Sequence, residues 1–531
     1  MPARPSQPET LLTAQDPGVA GGGDKGERFE VAGRSVYLIG IGGCGMSGLA
    51  RMLATRGAAV SGSDLSPQES TDALMADGIA VGFDQAKEWL PERCDLVVAS
   101  AAVKADHPQM RAAASRGIPV LNYAQTLGKA MLGRTGIAVA GTHGKSSTTA
   151  MLGTVLVDAG LDPTVIVGAT SRQLRLGNIG SNRAVHGANA GGGGDVGGGF
   201  RLGANRIPAG KAAGAPGILV AEACEYTRSF HNLRPTIASI SSVEADHLDC
   251  YKDIGEIVES FRAFAGLLPK ESEGGRLLIA HDGAHRREVT AGLTCRVETI
   301  GFSPQADWVV SYEPEHRRVK LSYDRKQVAH WTMRVPGAHM AFNAASAVAM
   351  ATMVGAEPAL AAASMCEFRG IDRRMQLLGE RPAGLGGGSV RVYDDYGHHP
   401  TEIDVTLRAL RDFERPQDGG GRLICVFQPH QHSRTRHLLD EFAQSFSSAD
   451  VVIVPDIYFV RDTEAERQSV TAADLVDRLR GRGVRAMHMH PFEAIVEQLE
   501  TLCRGGDLLV VMGAGPVYKI GQAFLRAGGT A

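Results

Sequence analysis

Gly136-Ile-Ala-Val-Ala-Gly-Thr-His-Gly-Lys-Ser-Ser-Thr-Thr149 is the stretch whose reading decides the fold. Residues 137–140 form an apolar run of strand type. The run breaks into a small turn between Gly141 and Gly144, Lys145 follows, and hydroxyl residues then open a helix. A phosphate-binding loop requires that order. Glycines let backbone N–H groups close on phosphate oxygens, the helix N-terminus adds partial positive charge, and a lysine neutralises the terminal phosphates. The hydroxyl of Ser146 or Ser147 is placed to serve Mg2+. The usual spacing would need a glycine where Val139 stands, so Gly141-Thr142-His143-Gly144-Lys145-Ser146 is a compact variant. The expected ligand is a nucleoside triphosphate, ATP. The alternative is a glycine turn that merely joins a strand to a helix.

Working outward, strand-like and helix-like patterns alternate in three blocks, which argues α/β architecture with largely parallel sheets. The first block has strands at 35–39, 59–62, 95–100 and 119–121. The second opens with the phosphate loop and adds apolar strands at 218–221 and 236–240 and a helix over 256–267. Shorter antiparallel strands follow at 308–312, 319–323 and 328–333, then a helix over 341–354. The third block has strands at 390–393, 423–427, 451–454 and 508–511. The expected boundaries are a disordered tail over 1–31, domains over 32–127, 128–369 and 370–531, and a glycine-rich, exposed and mobile insertion over about 182–217.

Composition narrows the function classes. At 531 residues the chain exceeds one core. A net charge of −3 gives no argument for nucleic acid as a partner. Eight cysteines without paired spacing suggest neither a zinc site nor a disulfide framework, and favour reduced thiols and the cytoplasm. No apolar run approaches the length of a spanning helix, so no membrane partner is expected.

The first block opens with Gly40-Ile-Gly42-Gly43-Cys-Gly45-Met46-Ser47-Gly48, and Asp64 lies about 20 residues on. Its secure content is a helix N-terminus bare enough for a diphosphate and an acid placed for a ribose, which fits a UDP-sugar and not NAD alone. Two candidate metal ligands sit at strand ends: Glu222, after the run 218–221, and His247, within Glu244-Ala-Asp-His-Leu-Asp249. Ligands gather at the carboxyl ends of strands in such sheets, the edge that presents the phosphate loop. The third block adds Asp394-Asp-Tyr-Gly-His-His-Pro-Thr-Glu402 and Phe427-Gln-Pro-His-Gln-His-Ser-Arg-Thr-Arg436. A histidine and arginine cluster of this kind suits a small carboxylate. A structural role for any single histidine remains the alternative.

Taken in order, GIGGCGMSGLA, GTHGKSSTT, EADHLD, PGAHMAFNAASA, GIDRRM, YDDYGHHPTE, FQPHQHSRTR and GAGPVYKIG resemble the motifs of the Mur ligases, from about Ser35 to the C-terminal region. The resemblance implies three domains: an N-terminal Rossmann-like UDP-binding domain, a central P-loop ATPase-type α/β domain, and a C-terminal Rossmann-like α/β domain that brings the amino acid. It implies ATP-dependent joining of L-alanine to the lactyl carboxylate of UDP-N-acetylmuramate through an acyl phosphate, in cytoplasmic peptidoglycan precursor synthesis, by a monomer or homodimer. The roles it implies are Lys145 on the β- and γ-phosphates, Ser146 and Glu222 on one Mg2+, and His247 on a second. Asn343 would meet the adenine, and Arg374 and Asp395 would reach the nucleotide from the C-terminal side. His430 and Arg434 would hold the amino-acid carboxylate.

Four departures stand out. Ser146 replaces a commoner threonine, EACEY replaces EADES, Ser242 replaces asparagine before EADHLD, and Met340 replaces asparagine three residues before Asn343. Met340 puts tight ATP affinity in question. Glu259 lies near the place of a modified lysine in some members, so no carbamylated lysine is expected. The rivals are a same-family ligase that attaches a preformed tripeptide, a folate ligase without the first loop, an NAD-dependent dehydrogenase, and a non-catalytic nucleotide-binding regulator. Cys44-Gly-Met-Ser and Gly397-His-His favour alanine over the tripeptide.

Overall fold

The computed structural model describes residues 29–171, 173–174, 199–383, 387–460 and 462–527. Contacts divide the chain into two compact units, the first made chiefly of the chain up to Thr135 and the second of the remainder.

The first unit holds a five-stranded parallel sheet of β1 (Ser35–Ile39), β2 (Ala59–Ser63), β3 (Ala80–Gly82), β4 (Leu96–Ala99) and β5 (Val120–Asn122), in the order β3-β2-β1-β4-β5. β1 is central, and its apolar run is buried from Val36 on because helices cover both faces of a parallel sheet. The tail expected over 1–31 lies outside the described residues up to 28. Val31 is already core, at 1% exposure, so the expected boundary runs too far.

The second unit contains two sheets. The ten-stranded sheet comprises β6 (Thr135–Ala140), β7 (Thr164–Ile166), β8 (Phe200–Arg201), β9 (Ile218–Glu222), β10 (Ile237–Ile240), β11 (Arg276–Ala280), β12 (Arg296–Gly301), β13 (Trp308–Glu313), β14 (Arg318–Tyr323) and β15 (Lys326–Thr332). Its order is β15-β14-β13-β12-β11-β10-β6-β9-β7-β8. The centre is parallel, and the end from β13 to β15 is antiparallel. β15 alternates between buried and exposed residues, as a strand covered on one face does.

The insertion expected over 182–217 lies outside the described residues as far as 198. The remainder is not an exposed loop. β8 pairs antiparallel with β7, and Ile207 is 3% exposed. A single apolar side chain in a glycine-rich stretch is enough to seat the returning chain, and composition averages it away.

The six-stranded sheet comprises β16 (Gln376–Pro382), β17 (Ser389–Asp395), β18 (Leu423–Phe427), β19 (Val451–Val454), β20 (Arg485–His488) and β21 (Leu508–Met512), ordered β16-β17-β21-β18-β19-β20. Only the β16–β17 pair is antiparallel. β18, β19 and β21 are buried at every residue, which fits their unbroken apolar sequence. The ten- and six-stranded sheets are called the central and C-terminal lobes below.

Candidate active site

In the first unit, the turn after β1 feeds the helix Cys44–Thr55, whose N-cap Gly43 has no side-chain cap. Its first turn therefore carries no capping side chain that a ligand would displace. A Cβ on Gly42 would stand 2.4 Å from Gln68 and 2.7 Å from Thr71, and one on Gly45 would stand 2.7 Å from the Tyr123 ring. Glycine is needed at both for packing. Asp64 is half-buried and already accepts two backbone N–H groups. Its Oδ2 accepts the Gly42 N–H at 2.7 Å and its Oδ1 the Leu65 N–H at 2.8 Å. Met46 is a core side chain, at 3% exposure, so only its backbone is available to a ligand.

In the second unit, β6 ends in the phosphate loop. Gly141 and Gly144 have φ of +125° and +82°, and Cβ atoms there would meet the Ser241 hydroxyl at 2.1 Å and Asn343 Oδ1 at 2.6 Å. The segment after β10 braces the loop: Thr142 N–H donates to Ser242 O at 2.9 Å and His143 N–H to Ser242 Oγ at 3.1 Å. The serine that replaces asparagine thus still supports the loop. Helix Ala338–Met353 packs against helix Lys145–Asp158, its alanines allowing close approach, and brings Asn343 to the loop.

Lys145 is folded beneath its own loop. Its Nζ donates to Gly141 O at 2.6 Å and Thr142 O at 3.0 Å and pairs with Glu225 at 2.9 Å. Burial opposes its charge, but Glu225 and its neighbours outweigh burial and raise its pKa. Glu222, at the end of β9, accepts the Gly168 N–H at 2.8 Å and neighbours the Ser146 hydroxyl. Burial raises its pKa. His247 follows β10. Its φ is +53°, its ring packs edge-on to Tyr226 at 5.1 Å, and its buried Nδ1 has no hydrogen-bond partner.

A cleft of about 620 Å³ lies beside the loop, lined from the central lobe by His143, Ser146, Glu244, Phe302 and Asn343 and from the C-terminal lobe by Arg374, Asp395 and Glu402. Lys145 and Glu222 do not line it in this arrangement. Asn343 donates to Met340 Sδ at 3.8 Å, and both are buried. Asp395 accepts Met375 N–H and Gly397 N–H, each at 2.7 Å, so it shapes the chain that carries Arg374. Burial pushes the Asp395 carboxyl up to about 6, against the pull of Arg374.

The sequence reading passed over the residue that gathers these groups. Glu402 lies 3.3 Å from His143 Nδ1 and 3.6 Å from Arg374, and accepts the His398 N–H at 3.0 Å. Although burial opposes ionisation, His398, His143 and Arg374 hold its carboxyl well below the usual range. Its signal was present: His399 N-caps the helix Pro400–Glu414, with Pro400 in the first position and Glu402 in the first turn. Glu244 and Thr401, hydrogen bonded at 2.7 Å, were passed over as well.

Arg434 is committed elsewhere than expected. Its Nε and Nη2 donate to Asp246 Oδ1 at 3.0 and 2.8 Å, and its Nη1 lies 3.2 Å from His430. Both members of the ion pair are under 10% exposed, and it ties the C-terminal lobe to the central lobe. A fork suited to a carboxylate does hold one, but the carboxylate belongs to the protein.

Fold and site together define an α/β protein of the phosphate-loop type, with a cleft beside the loop that a second lobe helps to line. The chain matches the Mur ligase family, catalytic domain over 35–135, the Mur ligase middle domain over 139–351 and the Mur ligase, glutamate ligase domain over 373–515, and it belongs to the Mur ligase family. The UDP-N-acetylmuramate–L-alanine ligase of Agathobacter rectalis is 37% identical over 92% of this chain and 97% of its own length. The ligase of the same name from Streptomyces avermitilis is also 37% identical, over 92% and 96%. Among solved structures, the UDP-N-acetylmuramate-alanine ligase of Thermotoga maritima shares the fold with a TM-score of 0.69 at 21% identity, covering 93% of this chain and 98% of that one. No helix among the described residues is long and apolar enough to cross a membrane.

Proposed function

We infer that this chain joins L-alanine to the lactyl carboxylate of UDP-N-acetylmuramate at the expense of ATP, in peptidoglycan precursor synthesis in the cytoplasm. The observation that carries the reading is the cleft in which the phosphate loop, Asn343, Arg374 and Asp395 converge from two lobes. The curated relatives support alanine as the amino acid over the tripeptide.

A free carboxylate is a poor acyl donor. In the proposed reaction its oxygen attacks the γ-phosphorus of ATP, the bond to the β,γ-bridging oxygen breaks, and ADP leaves. The alanine amine then attacks the carbonyl carbon of the acyl phosphate. The tetrahedral adduct loses inorganic phosphate as its C–O bond breaks, and the amine gives up a proton. Catalysis is mostly positioning and neutralisation of phosphate charge. Lys145 would exchange its loop carbonyls for the β- and γ-phosphates. Asn343 would meet the base, while Arg374 would bring positive charge from the C-terminal lobe, held in place by Glu402 and by the Asp395-braced turn. The Gly40–Ser47 turn would hold the diphosphate of the sugar nucleotide at the open N-terminus of its helix. His430 and Arg434 would reach the alanine carboxylate only if Arg434 released Asp246.

The donor chemistry fits magnesium at Ser146 and Glu222, which offer hard oxygens beside the loop; the orphaned Nδ1 of His247, an unusual donor for magnesium, would serve a second ion. Bound there, Mg2+ would neutralise phosphate charge.

Phosphate release with ATP, Mg2+ and UDP-N-acetylmuramate tests the reading, with L-alanine or the tripeptide L-Ala-γ-D-Glu-meso-diaminopimelate added in parallel. Release with alanine is expected. Release with the tripeptide alone would make this a recycling ligase, and silence with both would make it a nucleotide-binding regulator.

A further inference from the structure

His143, Glu244 and His399 each offer a ligating atom, and these atoms all lie within 4.8 Å of one another. Among the described residues this is the one such group of three; His143 and Glu244 also line the cleft, but the proposed ligase chemistry gives the three no shared role. His143 Nε2 is buried and stands 3.4 Å from Glu244 Oε2 without a formed hydrogen bond; against burial, Glu244 and Glu402 hold the ring's pKa up to about 9, so an ion enters in exchange for a proton. Two ligands of one tetrahedral Zn2+, each at ~2.0–2.1 Å, lie ~3.4 Å apart. That pair therefore already has the spacing of one edge of the tetrahedron, and the third ligand has to close by little more than ~1 Å.

The surrounding groups are arranged as for a metal. His143 Nδ1 faces Glu402 at 3.3 Å, the carboxylate–histidine arrangement that orients a ligating ring and raises its basicity. The Glu244 carboxylate is oriented by the Thr401 hydroxyl at 2.7 Å. Backbone groups anchor the His399 ring at both nitrogens, Ala245 O at 3.2 Å and Thr401 N–H at 3.3 Å. An ion ligated by this ring displaces one of these two contacts. Two imidazoles and one carboxylate suit Zn2+ and its neighbours in the first transition row, whereas Mg2+ prefers oxygen.

We propose that His143, Glu244 and His399 form a transition-metal site of the Zn2+ class that pins the central and C-terminal lobes together beside the phosphate loop. Two ligands come from the central lobe, after β6 and after β10, and the third from the N-cap of the helix Pro400–Glu414. The site is separate from the donors assigned to Mg2+ and stands without the ligase reading.

The test is titration of the full chain, stripped by chelator and returned to excess Mg2+, with Zn2+ against a chromophoric competitor and with Co2+ by visible absorption. One Zn2+ per chain is expected to bind, with the strong absorption of tetrahedral Co2+ and no thiolate charge-transfer band. His399→Asn, which keeps a helix N-cap acceptor, and Glu244→Gln, which keeps the volume, should each weaken binding by ~10-fold or more. Absence of Zn2+ binding overturns the proposal. So does binding that both variants retain while folded by circular dichroism, or a thiolate band, which would assign the ion to a cysteine such as Cys250. If neither variant folds, the Co2+ spectrum of the native chain decides, an octahedral or thiolate spectrum counting against the site.

Discussion

The turn after β1 and the turn after β6 share one backbone design and differ in charge. Each leads a buried parallel strand into a helix N-terminus through glycines that packing requires. The first contains no lysine between Gly40 and Gly48, and an internal carboxylate, Asp64, already occupies its Gly42 N–H. The second carries Lys145, folded on its own carbonyls and paired with Glu225. A bare helix end suffices to hold a diphosphate that does not react. A phosphoryl group in transfer spreads charge over its oxygens and needs a cation that follows it. In the proposed reaction, one lysine with an acid to store it against would separate a holding site from a reacting one.

The sharpest way to break this comparison is Lys145→Ala. Turnover should fall by at least ~10²–10³-fold, the worth of one buried electrostatic donor, while calorimetric binding of UDP-N-acetylmuramate stays unchanged. Loss of sugar-nucleotide affinity as well would mean that the two turns do not divide the nucleotides. Glu402→Gln comes next. It strips the charge shared by His143, His398 and Arg374, and should cost on the order of 3 kcal/mol of stability together with turnover. Differential scanning calorimetry and a parallel assay would check both, and a native-like melt would remove Glu402 from its central place.

Gly42→Ala sharpens the other side. The added Cβ meets Thr71 and Gln68, so ~1–3 kcal/mol of strain is expected, with weaker UDP-N-acetylmuramate binding and an unaltered affinity for ATP. Met340→Asn should lower the Michaelis constant for ATP about fivefold, the worth of one ~1 kcal/mol hydrogen bond. An unchanged or higher constant would mean that Met340 costs the site nothing.

The smallest effect concerns Asp394, whose carboxyl burial pushes up to about 6 although Arg373 lies 3.3 Å away. A carboxyl held higher in the folded chain than in the unfolded one stabilises at low pH, and that contribution fades as pH rises from about 4 through about 6. The melting temperature of Asp394→Asn minus that of the native chain should therefore climb across this window and level off above it. A flat difference would count against the shifted carboxyl.

Much of the fold was legible because parallel strands buried on both faces must be written as unbroken apolar runs. The strands at 35–39 and 423–427 stand where the sequence put them. Of those missed, β7, β16 and β20 are short, mixed or at a sheet edge, where partner strands supply the order that composition lacks, whereas β11 is an interior apolar run that the reading passed over. In the site, the residues that local sequence singles out are the loop glycines, Lys145, Ser146 and Glu222, and the structure places them at or beside the phosphate loop. Glu402 and Glu244 were quoted within motifs but given no role, because their importance comes from what they meet across lobes. Arg434 shows the converse. Its residue type suits a carboxylate; the one expected was that of the amino acid, and packing places Asp246 on the fork.

By itself the sequence determined the α/β class, the two glycine turns and the order of the motifs, since each rests on chemistry between residues close in the chain. Tertiary structure alone decided where the charges rest: Lys145 on Glu225, Asp64 on Gly42, Arg434 on Asp246, and His143 between Glu244 and Glu402. Charge pairing depends on distance and burial between segments about 22 to about 260 residues apart. Spacing along the chain does not encode those distances; the packing of sheets and helices sets them.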